Sequence, residues 1–269
     1  MTEKLNAILD LYADSLQRQL GDDLIGIYLT GSIALGGYHE NKSDMDFTTL
    51  VRKPLPGNAL PLIKNVHRDV RNRYPQSKLE GHYITMHELG KNPEEIEPVV
   101  TYHDGKLEKG YRGINMVTWF TLKKYGVTVW GLPVKELALD VTENNLLSYV
   151  SENVNSYWAR WLLDTKKLFS PKGIYALTDK SIEWGVLGIS RMVYTLSEKD
   201  VTSKDKVVTY ALEHTPRNHH KILNEAHCIR TGNNRREYQS SLKRRKDMIE
   251  FMEYMIRTCN RLSARQQQG

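Results

Sequence analysis

Apolar residues recur three and four apart at Leu5, Ile8, Leu9, Tyr12, Leu16 and Leu20, which predicts an amphipathic helix ending near Gly21. The period then shortens. Residues 25–29 form a brief apolar run closed by Thr30-Gly31-Ser32, a glycine-rich stretch reaches Gly37, and a polar turn leads from His39 to Ser43 into a second apolar run at 47–51. Both runs read as strands. Pro54, Pro56 and Gly57 mark a loop, residues 60–74 return to helical spacing, and 79–85 and 127–130 are further strand candidates, the last closed by Gly131 and Pro133.

Beyond about residue 140 the strand signal disappears, and apolar positions such as Leu146, Tyr149, Val150, Val154, Tyr157, Trp158 and Trp161 follow a helical period. Helices are predicted over 144–168, 180–196, 203–214, 218–230 and 236–262. Ser170-Pro171-Lys172-Gly173, residues 197–202, Thr215-Pro216 and Thr231-Gly232-Asn233 separate them. The chain therefore reads as α/β (α+β): a sheet-containing domain over 1–140, an all-helical bundle over 141–262, and a disordered tail over 263–269.

Composition changes this picture little. Of 269 residues, 40% are hydrophobic and 26% charged, an ordinary globular balance. No apolar run reaches the roughly 18 residues that a membrane span needs, so the reading is a soluble, cytoplasmic protein without a membrane partner. Two cysteines, Cys228 and Cys259, are too few for a disulfide framework or a thiolate zinc site and read as small buried apolar residues. The net charge of +6 is concentrated at the end, where residues 235–269 hold nine Lys/Arg against four acids. A charge excess confined to one terminal helix reads as a solvated surface, not as a nucleic-acid face. The histidines at 214, 219, 220 and 227 lack acids in ligand register and read as surface or capping residues; Trp158, Trp161 and Trp184 read as core.

The chemistry concentrates in Gly31-Ser32 and, eleven residues on, Asp44-Met45-Asp46 at the start of a strand. Side chains alternate along a strand, so Asp44 and Asp46 share one face while Met45 points to the core. Paired carboxylates repel unless a cation relieves them, and hard oxygen ligands without His or Cys suit Mg²⁺. Gly31 and Ser32, where a strand ends, would offer backbone N–H groups and a hydroxyl to a phosphate. The segment is not a P-loop, because Gly36 is followed by Gly37 and Tyr38 instead of Lys and Ser/Thr.

Gly31-Ser32 with Ser43-Asp44-Met45-Asp46, and Glu80 one helix and one strand later, resemble the signature of the polymerase-β-type nucleotidyltransferase superfamily. The stretch from Gly188 through Arg191 to Tyr194, then Val201 to Asp205 and Tyr210 to Pro216, is similar to the helical domain of the aminoglycoside adenylyltransferases that modify streptomycin and spectinomycin. The resemblance covers about residues 20–260. It implies a nucleotidyltransferase domain with a small mixed sheet flanked by helices, holding Mg-ATP, and a helical bundle closing over it with the acceptor in the cleft. By the same resemblance Asp44 and Asp46 are catalytic ligands of Mg²⁺, in the two-ion arrangement, and Glu80 is the catalytic base on the acceptor hydroxyl. ATP is a substrate, and Gly31, Ser32, Arg191 and Lys204 bind it.

The family's streptomycin-associated Trp is replaced here by the region Tyr102-His103-Asp104-Gly105, its helical-domain aspartate by Ser181, and a late Tyr by Arg230. Asp179 and Glu183 flank Ser181 and are the candidates for holding a small, hydroxylated, cationic acceptor; His103 and Asp104 lie either in a loop or in the acceptor pocket. The missing streptomycin-associated Trp favours spectinomycin over streptomycin. A nucleotidyltransferase acting on RNA or protein, and a catalytically silent nucleotide-binding regulator, stay open as other readings. A monomer is favoured.

Overall fold

The computed structural model describes residues 2–40 and 42–266, which divide into two units, Met1–Thr142 and Glu143–Gly269. In the first, Thr2 caps helix α1 (Glu3–Leu20) by accepting from the Leu5 N–H. Six strands follow: β1 (Leu24–Leu29), β2 (Met45–Val51), β3 (Leu79–Thr85), β4 (Val99–His103), β5 (Lys106–Gly110) and β6 (Val127–Gly131). Their order is β5-β4-β3-β2-β1-β6. Of these pairs only β2 and β3 run parallel. A parallel neighbour needs a crossover, which α3 (Ala59–Arg73) supplies. The sheet is thus mixed and flanked by helices, as the family resemblance implies.

Strand alternation divides the residues between the two faces of this sheet. Met45 and Phe47 on β2, Leu79 and Tyr83 on β3, and Val100 and Tyr102 on β4 join the apolar side chains of α1 and α3 in one buried cluster. The opposite face carries Asp46, Thr48, Glu80 and His82, and there Thr48 Oγ1 lies 3.0 Å from His82 Nε2 while His82 meets the edge of Trp119. Trp119 belongs to α4 (Met116–Tyr125), which Asn115 caps. The sequence pattern did not predict α4, β4 or β5. In α4 apolar residues fall on more than one side; β5 is a polar edge strand with Leu107 as its one apolar residue.

Among the described residues the second unit carries helices and no strand, with α5 (Glu143–Asn153), a π-helical turn (Val154–Trp158), α6 (Ala159–Lys166), α7 (Pro171–Tyr175), α8 (Asp179–Glu198), α9 (Lys206–His214), α10 (His220–Thr231) and α11 (Ser241–Gln266). Central α8 packs against α5, α9, α10 and α11. Gly185 and Gly188 on α8 admit two large rings: a Cβ on Gly188 would lie 2.3 Å from the Trp158 indole and one on Gly185 3.0 Å from Trp161. Gly188→Ala is therefore expected to destabilise the protein by about 1–3 kcal/mol through overpacking. Thermal unfolding checks this, and an unchanged midpoint would contradict the fit.

Several expectations need correction. Ser170-Pro171 does not merely separate helices: Ser170 accepts from the Gly173 N–H and Pro171 opens the short α7, as proline does at a first helical position. The reading of Trp184 as core fails, since it is 43% exposed, while Trp158 and Trp161 are buried. Residues 263–266 are helical and not a disordered tail, with Gln266 donating to the Leu196 carbonyl at 2.6 Å; residues 267–269 lie outside the described residues. Both cysteines are buried. Among the described residues no helix is long and apolar enough to cross a membrane.

Candidate active site

Glycine at 31 shapes the first unit's polar face. Its φ of +55° is in the left-handed region, and a Cβ there would stand 1.9 Å from Asp46 Oδ2. Only a residue without a side chain lets the turn approach that carboxylate. Backbone pairing holds the turn in place, with Thr30 N–H donating to the Asp46 carbonyl at 2.9 Å, Gly37 N–H to the Ser32 carbonyl at 2.9 Å, and Ser32 Oγ lying 3.5 Å from the Asp44 carbonyl. Gly31, Ser32, Asp44 and Asp46 are thereby gathered at the start of β2.

Glu80 is brought to the same place by register. In the parallel β2/β3 pair Asp46 lies opposite Glu80, so the two side chains project side by side from one face. Burial raises the Glu80 carboxyl from its ordinary 4.5 to about 7, with the negative charge of Asp44 adding to the effect. This is the signature of acidic groups crowded on a partly desolvated face. Hard oxygens in this arrangement, with a backbone cradle left open by the missing Cβ of Gly31, fit a divalent cation of the Mg²⁺ type.

The region 102–105, which the sequence left between a loop and a pocket, is the end of β4 and the turn into β5. His103 pairs with Lys106, and the two residues between them, Asp104 and Gly105, have φ of 48° and 75°. Asp-Gly with both residues left-handed is the hairpin turn that matches strand twist. That dipeptide was the available sequence signal for the hairpin. His103 Nδ1 contacts Glu80 Oε2, and Asp104 N–H approaches Glu80 Oε1 at 3.4 Å. Among the described residues Glu80, His103 and Asp104 are the one group of metal-ligating side chains that closes within 4.8 Å, so the histidines at 214, 219, 220 and 227 form no such group.

In the second unit α8 carries Asp179, Glu183 and Arg191. Lys204 Nζ is 3.1 Å from Glu183 Oε1, and Arg230, barely exposed, reaches Glu183 at 3.4 Å and Asp205 at 3.5 Å. Arg191 Nε donates to the Thr202 carbonyl at 2.9 Å. Burial lowers the Lys204 pKa, Glu183 opposes that, and the charges of Arg230 and Arg191 add to it. The structure therefore brings Arg191, Lys204, Arg230 and Glu183 into one charged cluster. Sequence reading noted Arg230 only as a departure from the family pattern.

Asp179 sits elsewhere. Arg244 Nη1 is 2.8 Å from Asp179 Oδ1 and 2.9 Å from the fully buried Glu225, and Arg236 reaches Asp179 at 2.7 Å. Burial pushes the Asp179 carboxyl up, but the hydrogen bonds from Arg244 and Arg236 outweigh it and hold the group below its usual range. Arg245 caps the carbonyls of Thr165 and Lys166. The basic end of the chain thus spends part of its charge inside the bundle.

Residues 9–109 match the family model described as a nucleotidyltransferase domain, and residues 174–258 match the C-terminal domain of aminoglycoside adenylyltransferase. The comparison with curated proteins returns no significant match. Among solved structures the fold is similar to spectinomycin adenyltransferase AAD(9) from Enterococcus faecialis, determined with ATP and spectinomycin, at 15% identity and a TM-score of 0.65, covering 94% of this chain and 98% of that one. With both family models matched in order along one chain, on the fold just described, the chain joins a nucleotidyltransferase domain to the C-terminal domain of the aminoglycoside adenylyltransferases, and the protein is a nucleotidyltransferase enzyme.

Proposed function

We propose that this enzyme transfers AMP from ATP to a hydroxyl of an aminoglycoside-like antibiotic of the spectinomycin or streptomycin type, releasing pyrophosphate. The observation that carries this reading is the placement of Asp46 and Glu80 side by side on one sheet face, with the Gly31 turn against Asp46. The acceptor oxygen forms a bond to the α-phosphorus, the bond from that phosphorus to the pyrophosphate oxygen breaks, and the acceptor proton passes to Glu80. Asp44 and Asp46 would hold magnesium, as two ions, which when bound supplies positive charge against the negative charge developing on entering and leaving oxygens. Gly31 and Ser32 present N–H groups and a hydroxyl to the phosphates, and Arg191 and Lys204 add cationic contacts to them.

The acceptor carries ammonium groups, so its binding surface must present carboxylates. Glu183, paired with the Lys204 that we assign to the nucleotide, is our candidate, with the exposed carboxylate of Asp104 as a second; Asp179 lies in a separate ion-pair group with Arg236 and Arg244, and we assign it a role in stability. The match to an enzyme solved with spectinomycin, and the absence of the streptomycin-associated Trp, support spectinomycin as the first acceptor to test.

The test incubates the full chain with magnesium, labelled ATP and a panel of aminoglycosides, with RNA as a further arm. Label on a drug supports the reading; label on RNA alone, or on nothing, removes it. Arg191→Gln with Lys204→Gln is expected to weaken ATP binding by about 10–100-fold, because each removes a charge-assisted contact. Glu183→Gln should raise the acceptor KM about tenfold and flatten its salt dependence, while Asp179→Asn lowers the thermal midpoint and leaves acceptor KM alone. Steady-state kinetics at two ionic strengths separates these outcomes.

A further inference from the structure

The proposed base is held by one hairpin. In the antiparallel β3/β4 pair Gly81 faces Tyr102 and His82 faces Thr101, so one step further along the ladder His103 stands across from Glu80. Directly opposed side chains on one face are close enough to touch. His103 Nδ1 does meet Glu80 Oε2. The next residue adds a backbone donor, Asp104 N–H, 3.4 Å from Glu80 Oε1. Both carboxylate oxygens are therefore addressed from the same two residues, at the point where β4 turns into β5.

That turn is firmly seated. On the opposite side of β4, Tyr102 stacks on His67 of α3 with ring centroids 3.5 Å apart and planes 10° from parallel. His67 is buried and hydrogen-bonded to Tyr83 at 2.8 Å, and burial lowers its pKa to about 3, so it stays neutral under the stack. Gly105, with φ +75°, leaves room for the Arg71 guanidinium, which a Cβ would meet at 2.7 Å. The second nitrogen of His103 looks toward Asp104 Oδ2 at 3.6 Å, with Arg112 Nη1 3.8 Å from the same oxygen. His103 is thus oriented at both ends of its ring.

We propose that His103 is a positioning residue for Glu80: its Nδ1–H holds Oε2, so that the carboxylate keeps one orientation toward the acceptor hydroxyl. This rests on the functional reading above, in which Glu80 accepts that proton. It assigns to His103 a role distinct from acceptor binding. A carboxylate only accepts hydrogen bonds, so the contact requires a proton on Nδ1. Nothing is transferred to or from His103 in this role; the proton ends on Glu80, as before.

The test compares three substitutions in the full chain with ATP, magnesium and an acceptor that the wild type modifies. H103A should lower kcat about 10–100-fold, the size expected for losing a hydrogen bond to a charged group, while KM for ATP and acceptor stays within about twofold. H103N, whose amide nitrogen occupies the place of Nδ1, should recover most of the rate, whereas H103Q, whose amide reaches the place of Nε2, should behave like H103A. A rise in acceptor KM at unchanged kcat overturns the proposal and makes His103 an acceptor-binding residue; equal loss in H103N and H103A overturns it as well. Thermal unfolding of each variant shows whether a loss of rate is a loss of fold. A second readout needs no turnover: in the ¹⁵N spectrum of labelled histidine, the Nδ1–H resonance of His103 should move upfield in E80Q, and an unmoved resonance overturns the contact. Wild-type protein that labels no acceptor removes the functional reading and this role with it. A normal wild-type rate matched by H103A removes this role alone.

Discussion

Asp46→Asn is expected to abolish AMP transfer, with a loss on the order of 10³-fold or more, while the protein stays folded. Ligand charge at a divalent ion supplies several kcal/mol of transition-state stabilisation, and each 1.36 kcal/mol is tenfold in rate. The amide keeps the volume of the carboxylate, so the close approach of the Gly31 turn to this side chain is preserved. One negative charge also leaves a face that already holds Asp44 and Glu80, which relieves repulsion in the metal-free protein. Turnover with saturating magnesium and thermal unfolding without it are the two measurements. A variant that keeps more than a few per cent of wild-type turnover would sink the assignment of Asp46 to the metal; a variant that fails to fold would show that the carboxylate is needed by the chain itself.

Glu80→Gln should reduce kcat by about 10²–10⁴-fold, the usual contribution of a general base, with ATP affinity unchanged. The base acts on the acceptor proton and is not needed to hold phosphates. Calorimetric titration with a non-hydrolysable ATP analogue tests this, and lost nucleotide binding would move Glu80 into the metal shell. Its raised pKa makes a separate prediction about stability. A carboxyl that titrates at about 7 in the folded protein, against its ordinary 4.5, binds its proton more tightly when folded. Its contribution is therefore favourable at low pH and is lost as pH rises from about 4.5 through 7. The metal-free wild type should lose stability across that window relative to Glu80→Gln, whose amide does not titrate. Parallel slopes for the two proteins would show that Glu80 is not desolvated as the structure has it.

Both variants concern one sheet face, and much of that face can be read in the chain. Alternation in Asp44-Met45-Asp46 separates two carboxylates from a residue buried in the core, and the glycine of Thr30-Gly31-Ser32 marks the turn that approaches them. Lengths and spacings of α1, α3 and the principal bundle helices are legible for the same reason. Each buries one face, so its apolar residues must recur with the period of the element. Where that constraint fails, the signal fades. β5 is an edge strand with exposed charges, α4 is apolar on several sides, and α7 is too short to show a period.

By itself, the sequence determined the periodic elements, the pairing of Asp44 with Asp46 and, through its motifs, the nucleotidyltransferase family; these depend on neighbours a few residues apart. The tertiary structure alone decided what meets across long intervals. Parallel register sets Glu80 beside Asp46, an Asp-Gly turn brings His103 onto Glu80, and helix packing joins Arg244 to Asp179 across 65 residues while Arg230 reaches Glu183 across 47. Charge along a chain has no period that names its partner, and a strand's pattern states which face is buried without stating which strand lies alongside. Register and ion pairing are settled when whole faces are buried together and each desolvated charge has to find an opposite one.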